Sequence, residues 1–327
     1  MKPIISNLLK ATTVCSLLLV GCGSSDQANS TTQETPIEAP SGTPAPTPIV
    51  EEDPMRETNY DFLTTPANGV DVDSSNDVVV DYSNINDGYI NVKYAGDKTT
   101  VQVWIIQPDG QTTYRYPLEP GDFHTLPLTE GNGTYQVQVY VCAFADNYTV
   151  NFSKSYDVTI NDELLPFLNP NQYVDYKKDT PTTDLGIELS KESEDDLAYV
   201  GKVFNYVCDN VTYDYDFANS IPVNYCPNPD VTMEKKTGIC FDYASLMSSL
   251  LRSQNIPTKL KAGYAGDIYH AWISVYLKEI GWVENMIQFD GENWSIVDPT
   301  LAANNESKEE VKNYMANKEN YQAFFQY

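Results

Sequence analysis

The chain has 327 residues, a formal net charge of −26 and a sequence pI near 4.2. This length is sufficient for two domains of ordinary size. Because so acidic a chain repels phosphate backbones and anionic lipid surfaces, the composition excludes nucleic-acid binding and predicts a solvated acidic surface.

The first 22 residues have the layout of an export signal. Lys2 and Lys10 precede an apolar run that ends in Leu19-Val-Gly-Cys22 and is too short to span a bilayer as a stable helix. The last four residues resemble the bacterial lipobox, which implies cleavage before Cys22 and lipid attachment to its sulfur. We therefore expect a lipoprotein that faces outward and meets the membrane only through this anchor. The alternative is an ordinary cleaved signal with an incidental cysteine.

Residues 23–58 and 59–163 differ in composition and pattern. The first segment is rich in Ser, Thr, Pro, Glu and Gln, and predicts a disordered tether. The second contains alternating runs such as Thr100–Ile106 and Tyr135–Cys142, separated by turn residues. Short strands at this spacing predict an immunoglobulin-like β-sandwich. We expect it to be a spacer or docking module, with carbohydrate or peptidoglycan binding as the more specific alternative.

Residues 164–189 are predicted to connect the sandwich to a second domain at 190–327. A helix is expected to begin at the Ser193-x-x-Asp196 capping box and to turn Leu197, Val200, Phe204 and Val207 inward. A last short helix is expected from Ser307-x-x-Glu310, and residues 324–327 are expected to pack back on the domain.

Cys240 is predicted to begin a core helix. After Gly238 the apolar residues follow one helical stripe, and they are Tyr243, Leu246, Met247, Leu250 and Leu251. The unpaired N–H groups at a helix start stabilise a thiolate, so Cys240 has the setting of a nucleophile. Asp242, in the first turn, is predicted to cap the helix rather than to act in catalysis.

Two later segments contain the groups that a catalytic thiolate requires. His270 is the one histidine in the second half, since His124 is the other and is predicted to be structural. His270 opens a run that alternates like a strand with two faces, and Trp294-Ser-Ile-Val-Asp298 alternates in the same way. An acid at the end of a neighbouring strand can accept the imidazole N–H and fix its tautomer.

Three ordered motifs resemble those of the transglutaminase-like superfamily. They are Gly238-Ile-Cys-Phe-Asp-Tyr-Ala244, Tyr269-His-Ala-Trp272 and Trp294-Ser-Ile-Val-Asp-Pro-Thr300. The resemblance implies an α+β, papain-like fold with a nucleophile helix packed on an antiparallel sheet. It also implies Cys240 as nucleophile, His270 as general base and acid, and Asp298 as the orienting carboxylate. Tyr269 and Trp272 are then expected to line the substrate cleft.

The implied chemistry is acyl transfer through a thioester on Cys240. Water as acceptor gives a cysteine protease or amidase, which we favour, and a lysine amine gives a crosslinking transglutaminase. A catalytically silent binding or adhesion module is the alternative from another class. The expected partner is a protein or peptide, including peptidoglycan peptides, and the chain is expected to be a monomer.

The remaining cysteines indicate which disulfide bonds and metal sites are possible. An exported chain permits disulfides, and a bond between Cys208 and Cys226 is one expectation. It would leave Cys240 with its thiol available. Zinc and other metal sites are not predicted, because no C-x-x-C pair exists and the nearby histidine is needed as a base. No cofactor is predicted.

Overall fold

The N-terminal half of the described chain is a β-sandwich. The computed structural model describes residues 55–144, 147–265, 267–278, 280–284, 287–289, 294–296 and 321–327. One antiparallel sheet contains β1 Val72–Ser75, β2 Val78–Asp81, β3 Tyr89–Tyr94 and β6 His124–Pro127, in that order. The other contains β4 Val101–Ile106, β5 Thr113–Leu118, β7 Gly133–Phe144 and β8 Asn147–Val158, in the order β5-β4-β7-β8. A 3-10 helix occupies Ile85–Asp87.

The order of these strands is that of an immunoglobulin-like domain. The chain leaves the first sheet after β3, returns to it for β6, and leaves it again for β7. The inward faces of both sheets consist of alternating Val, Ile and Tyr side chains that belong to one core. Tyr135, near the start of β7, donates its hydroxyl to Gly131 O at 2.8 Å, which is the tyrosine corner of such sandwiches. The predicted sandwich is confirmed.

The C-terminal half combines helices with a second antiparallel sheet. The helices are α1 Pro181–Lys191, α2 Asp196–Asn210, α3 Tyr215–Ala218, α4 Pro229–Lys235 and α5 Cys240–Ser253, and a 3-10 helix occupies Leu165–Phe167. Strands β11 Thr258–Ala265, β12 Ile268–Leu277, β13 Gly281–Val283 and β16 Tyr321–Gln326 form the sheet in the order β13-β12-β11-β16. Two small pairs complete it, β9 Thr212–Tyr213 with β10 Thr237–Gly238 and β14 Ile287–Phe289 with β15 Trp294–Ile296.

Helix α5 is the centre of this half. It packs against α1, α2 and α4 and also against β11 and β12. The five apolar residues of its predicted stripe are all fully buried, and burying each leucine contributes about 1.5–3 kcal/mol. The expected helix on an antiparallel sheet is therefore confirmed, and Cys240 begins a helix whose residues from Asp242 to Ser253 are all buried.

The start of α2 differs from the expectation. Asp195, not Ser193, caps the helix, and its carboxylate accepts the Ala198 N–H at 2.7 Å. Ser193 instead donates its hydroxyl to Leu189 O, in the last turn of α1. The segment predicted as a connector thus contains most of α1, whose polar surface gave no clear helical stripe.

The two halves share an aromatic interface. Tyr173 contacts Tyr116 of the sandwich at 5.5 Å and Phe241 of α5 at 5.1 Å between ring centroids. Tyr327 lies 4.8 Å from Tyr173 and 5.4 Å from Tyr114. The predicted return of residues 324–327 is confirmed, and it helps to join the sandwich to the helix that begins with Cys240.

Residues 55–58, which the composition assigns to the tether, are packed on the helical half. Arg56 donates to Ser190 Oγ at 2.6 Å and to Gln254 O at 2.7 Å, and it pairs with Asp196 at 2.9 Å. A single arginine can satisfy several distant acceptors, and composition does not reveal them. None of the helices in the described part of the chain is long and apolar enough to cross a membrane. The helix expected from Ser307 lies outside the described residues.

Candidate active site

Cys240 is the first residue of α5. The backbone of Ile239 is extended, so the chain turns into the helix at the residue that carries the sulfur. Asp242 accepts the Ile239 N–H at 2.8 Å and caps the first turn, as predicted. Cys240 is half-buried, and it lies where unpaired N–H groups favour negative charge.

A buried carboxylate supports this turn. Asp242 is 2% exposed, and its second oxygen accepts the Tyr225 hydroxyl at 2.5 Å. Burial raises the pKa of Asp242, while the hydrogen bonds from Tyr225 and Ile239 act in the opposite direction. Tyr225 thereby ties the loop between α3 and α4 to the start of α5.

Strand β12 brings His270 to the same end of α5. His270 lies near the start of the strand and is 7% exposed. The preceding residue, Tyr269, lies within electrostatic reach of Cys240: burial raises the pKa of Tyr269, and negative charge on Cys240 raises it further. Because Tyr269 and His270 are consecutive, the N-terminal end of β12 lies beside the N-terminal end of α5.

The two predicted cleft residues differ in exposure. Tyr269 is 56% exposed, and its ring makes an edge contact with Tyr264 at 5.7 Å between centroids. Trp272 is 1% exposed and lies nearly parallel to His270, with the ring centroids 6.4 Å apart. Trp272 therefore has almost no accessible surface to offer a substrate, and its place in the cleft stays a prediction. Its ring instead packs on the same strand face as His270.

The third predicted residue, Asp298, lies outside the described residues, as does Cys22. Strand β15 pairs antiparallel with β14 and ends at Ile296, two residues before Asp298. The role of Asp298 as the carboxylate that orients His270 stays a prediction, and so does lipid attachment to Cys22.

Sequence reasoning missed one residue that lies near Cys240. Tyr213 lies opposite Gly238, two residues before Cys240, in the β9–β10 pair. Burial raises the pKa of Tyr213 to about 12, and negative charge on Cys240 contributes to the shift. One aromatic residue in a two-residue strand gives no periodic signal, so its position becomes apparent only in the folded chain.

The expected disulfide between Cys208 and Cys226 is not formed. The sulfur of Cys226 instead accepts a hydrogen bond from Gln172 Nε2 at 3.3 Å. Burial raises the pKa of the Cys226 thiol to about 11. Spacing along the chain suggested the pair, but Cys226 is turned toward the segment that joins the two halves, and Cys208 lies near the end of α2.

The segment that contains Cys240 and His270 is similar to known proteins. A family model described as the transglutaminase-like superfamily matches residues 183–286. The uncharacterized protein YebA of Bacillus subtilis is 26% identical over 230 residues, which cover 58% of this chain and 31% of YebA. The UPF0252 protein MJ1282 of Methanocaldococcus jannaschii is 27% identical over 148 residues, which cover 41% of this chain and 42% of that protein. The chain therefore spans less than half the length of these curated relatives.

Two solved structures have low overall similarity to the chain. A candidate cysteine protease from Cytophaga hutchinsonii is 16% identical with a TM-score of 0.33, covering 65% of this chain and 74% of its own. Red sea bream transglutaminase is 14% identical with a TM-score of 0.29, covering 67% of this chain and 48% of its own. The segment matched by the family model contains both α5 and β12. Residues 183–286 of this chain thus match the model of a transglutaminase-like domain.

Proposed function

We propose that this domain is a thiol enzyme that transfers acyl groups through a thioester on Cys240, with water as the acceptor. The observation that carries the proposal is that the N-terminal end of α5 lies beside the N-terminal end of β12. Cys240 begins α5, His270 lies near the start of β12, and Tyr269 next to it is within electrostatic reach of Cys240. A nucleophile at a helix start beside a histidine is the arrangement that thiol-dependent acyl transfer uses.

The proposed reaction has two steps. The Cys240 thiolate attacks an amide carbonyl, the C–N bond breaks, and imidazolium at His270 gives its proton to the leaving amine. His270 then takes a proton from water, and the resulting hydroxide attacks the thioester. The C–S bond breaks, the carboxylate product is released, and Cys240 is again a thiolate. Asp298 is proposed to accept the other imidazole N–H throughout. The Cys240 N–H is one donor to the oxyanion of each tetrahedral intermediate.

The substrate is proposed to be a protein or a peptide, including the peptides of peptidoglycan. The exposed rings of Tyr264 and Tyr269, beside the start of β12, offer apolar contact area to an extended chain. A primary amine in place of water would make the same acyl-enzyme a crosslinking enzyme, so the acceptor decides between hydrolysis and crosslinking.

The test compares the full chain with Cys240→Ala and His270→Ala. The chain's other histidine supplies a matched control, His124→Ala, because His124 Nε2 lies against Glu119 O in the sandwich. A peptide library with labelled side-chain and C-terminal amides is incubated with each protein, with and without biotin-cadaverine. We expect product carboxylates and a thioester mass on the Cys240 peptide, with at least about a 1,000-fold loss in both site variants and no loss in the control.

Three results would change the proposal. Biotin-cadaverine incorporation that exceeds hydrolysis would make the domain a transglutaminase. Activity that survives Cys240→Ala would remove Cys240 as the nucleophile. A chain that forms no acyl-enzyme with any peptide, while it retains saturable binding, would be a catalytically silent binding module.

We also propose that the protein is exported and anchored through lipid on Cys22, with the sandwich as a spacer or docking module. The support is the sequence of the first 22 residues and the tether that follows them. Metabolic labelling with an alkyne fatty acid should label the chain in membranes of a bacterial host. Labelling that persists in Cys22→Ser would contradict the assignment.

A further inference from the structure

A polar cavity of about 520 Å³ lies between the sandwich and the helical half. Its walls come from the end of β5, the start of β6, the connecting residues 171–177 and the loop between α3 and α4. The volume falls within the range of ligand pockets, which is about 300–1,000 Å³. The cavity is distinct from the candidate active site, because neither Cys240 nor His270 lines it.

Asn171 brings a free hydrogen-bond donor to this cavity. Its Oδ1 accepts the N–H groups of Tyr173 and Val174 at 2.9 and 3.0 Å, which identifies the other atom of the amide as Nδ2. The side chain is 4% exposed, and Nδ2 has no hydrogen-bond partner among the described residues. Asn171 lies where this cavity meets a second one, lined in part by residues 60–66. A buried donor without a partner is costly, so the site favours a group that accepts from it.

Gln172 brings a free acceptor to the same cavity. Its Nε2 donates to Pro117 O at 2.6 Å and to Cys226 Sγ at 3.3 Å. The proline carbonyl can only accept, which fixes the orientation of the amide. The Oε1 of Gln172 is buried and has no partner within the part of the chain that the structure describes. Consecutive residues thus present one donor and one acceptor, and a ligand amide with one C=O and one N–H satisfies both.

The remaining lining favours a neutral ligand that is rich in hydroxyl groups. Glu119 and Asp175 bring negative charge, and Lys177 is paired with Asp175 at 2.9 Å, so an anionic ligand gains little attraction. Amide side chains both donate and accept, as sugar hydroxyls require, and two more of them come from Asn224 and Asn228. Phe123 is 42% exposed and offers its ring to the C–H groups of a sugar.

We propose that this cavity binds an N-acetylated amino sugar. The acetamido C=O accepts from Asn171 Nδ2, the acetamido N–H donates to Gln172 Oε1, and the sugar ring packs on Phe123. An acetamido group is neutral and has one acceptor and one donor, which matches the two unpaired groups. The binding is non-covalent and does not depend on the acyl transfer proposed for Cys240.

The cavity is connected to the start of the nucleophile helix. Asn224 and Cys226 line it, and Tyr225 between them donates its hydroxyl to Asp242 in the first turn of α5. A sugar in the cavity therefore contacts the loop that is hydrogen-bonded to this turn. If the acyl transfer also holds, peptides carried on N-acetylated sugars become the favoured substrates.

The test compares two trisaccharides that differ in the acetamido group. N,N′,N″-triacetylchitotriose carries this group on every ring, and cellotriose has a hydroxyl in its place. In isothermal titration of the full chain, we expect saturable binding of triacetylchitotriose that is at least about tenfold tighter than that of cellotriose. The reason is that cellotriose has no amide to pair with Asn171 and Gln172.

Two variants test the residues that recognise the sugar. Asn171→Asp keeps an oxygen for the two backbone N–H groups and replaces the free donor with an acceptor, so the preference for triacetylchitotriose should disappear. Phe123→Ala should weaken binding of both trisaccharides by about three- to tenfold. Tyr148→Ala is the matched control, because Tyr148 is a ring of similar exposure, 38%, in β8 of the sandwich. Its affinities should equal those of the unaltered chain.

The thiol of Cys226 reports where the sugar binds, because Cys226 lines the cavity. Iodoacetamide labelling is measured at about pH 9.5, where the buried thiol begins to ionise. At a triacetylchitotriose concentration of about ten times its Kd, we expect labelling of Cys226 to slow by about tenfold. Labelling of Cys142, which lies in β7, should be unchanged.

Three results would overturn this site. Equal affinity for the two trisaccharides would remove the pairing with the acetamido group. Binding that neither Phe123→Ala nor Cys226 labelling detects would place the sugar elsewhere on the chain, and this comparison holds even where Asn171→Asp fails to fold. Absence of saturable binding would mean that ordered water completes the hydrogen bonds of Asn171 and Gln172. None of these results bears on Cys240 as the nucleophile, which the activity of Cys240→Ala tests separately.

Discussion

Gly263 lies directly opposite His270 in the antiparallel pair β11–β12, and the register of β11 against β16 shifts between Ala262 and Gly263. A β-bulge therefore adjoins the strand position that faces the proposed base. A side-chain carbon on Gly263 would overlap the carbonyl oxygen of Gln322 in β16. Bulges beside active sites commonly re-aim a side chain. Here the absence of a side chain at Gly263 lets three strands approach one another at the histidine.

Gly263→Ala is expected to destabilise the domain by about 1–3 kcal/mol, because backbone atoms of β16 must move to admit the methyl group. Hydrogen exchange should rise in residues 321–326. The control is Gly201→Ala in α2, where the new carbon would meet nothing within 4 Å. That change should stabilise the helix by about 0.5–1 kcal/mol. Unfolding in urea measures both, and equal effects would contradict the account.

Tyr225→Phe tests the buried Asp242. Loss of the hydroxyl removes a hydrogen bond to a carboxylate, which costs about 1.5–3 kcal/mol at neutral pH. Burial already raises the pKa of Asp242 in the folded chain, and the missing donor raises it further. The protonated acid is therefore favoured by folding, so stability from this group is present at low pH and lost as pH rises through the folded pKa. The cost of Tyr225→Phe should shrink as pH falls from neutral through the folded pKa of Asp242, and a cost independent of pH would contradict this account.

Cys226 is expected to resist alkylation at neutral pH. Burial raises the pKa of its thiol to about 11, so little thiolate forms in the folded protein below about pH 9. The protonated thiol contributes stability that is present below its ordinary pKa near 8.5 and is lost as pH rises through about 11. Mass mapping after iodoacetamide treatment should show Cys226 labelling rise only above about pH 9. Rapid labelling at pH 7 in folded protein would show that the thiol is not buried as described.

Arg252 is expected to make a large contribution to the stability of the folded chain. It is fully buried on α5 and donates to the carbonyl oxygens of Asn169, Thr258 and Tyr327 at 2.6–2.9 Å. Arg252→Met should remove all of these hydrogen bonds, and an acceptor that is left buried without a partner costs about 1–3 kcal/mol. We expect a loss of at least about 3 kcal/mol in the free energy of unfolding.

Arg115→Met is the control for that change, since Arg115 is exposed and lies 4.2 Å from the centroid of Trp104. It should cost about 0.5–1 kcal/mol. A loss below about 1 kcal/mol in Arg252→Met would mean that the cost of burying the charge offsets its hydrogen bonds.

Much of the fold can be predicted from the sequence, because residues that face a core are apolar and recur at the period of the helix or strand that contains them. The stripe after Gly238 predicted α5 and placed Cys240 at its start, and alternation from Thr100 to Cys142 predicted the strands of the sandwich. Motifs of three segments predicted the family and drew attention to His270. Local pattern failed at α1, where polar residues on a half-buried helix look like a connector.

The sequence by itself determined most of the elements, the acidic character of the chain and the residue types available for thiol chemistry. Tertiary structure alone decided which residues lie near one another: a two-residue parallel pair places Tyr213 opposite Gly238, two residues before Cys240, and Trp272 is buried beside His270. It also kept Cys226 away from a disulfide. The physical reason is that periodicity records only whether a side chain is buried, whereas partners and register depend on packing between segments distant along the chain.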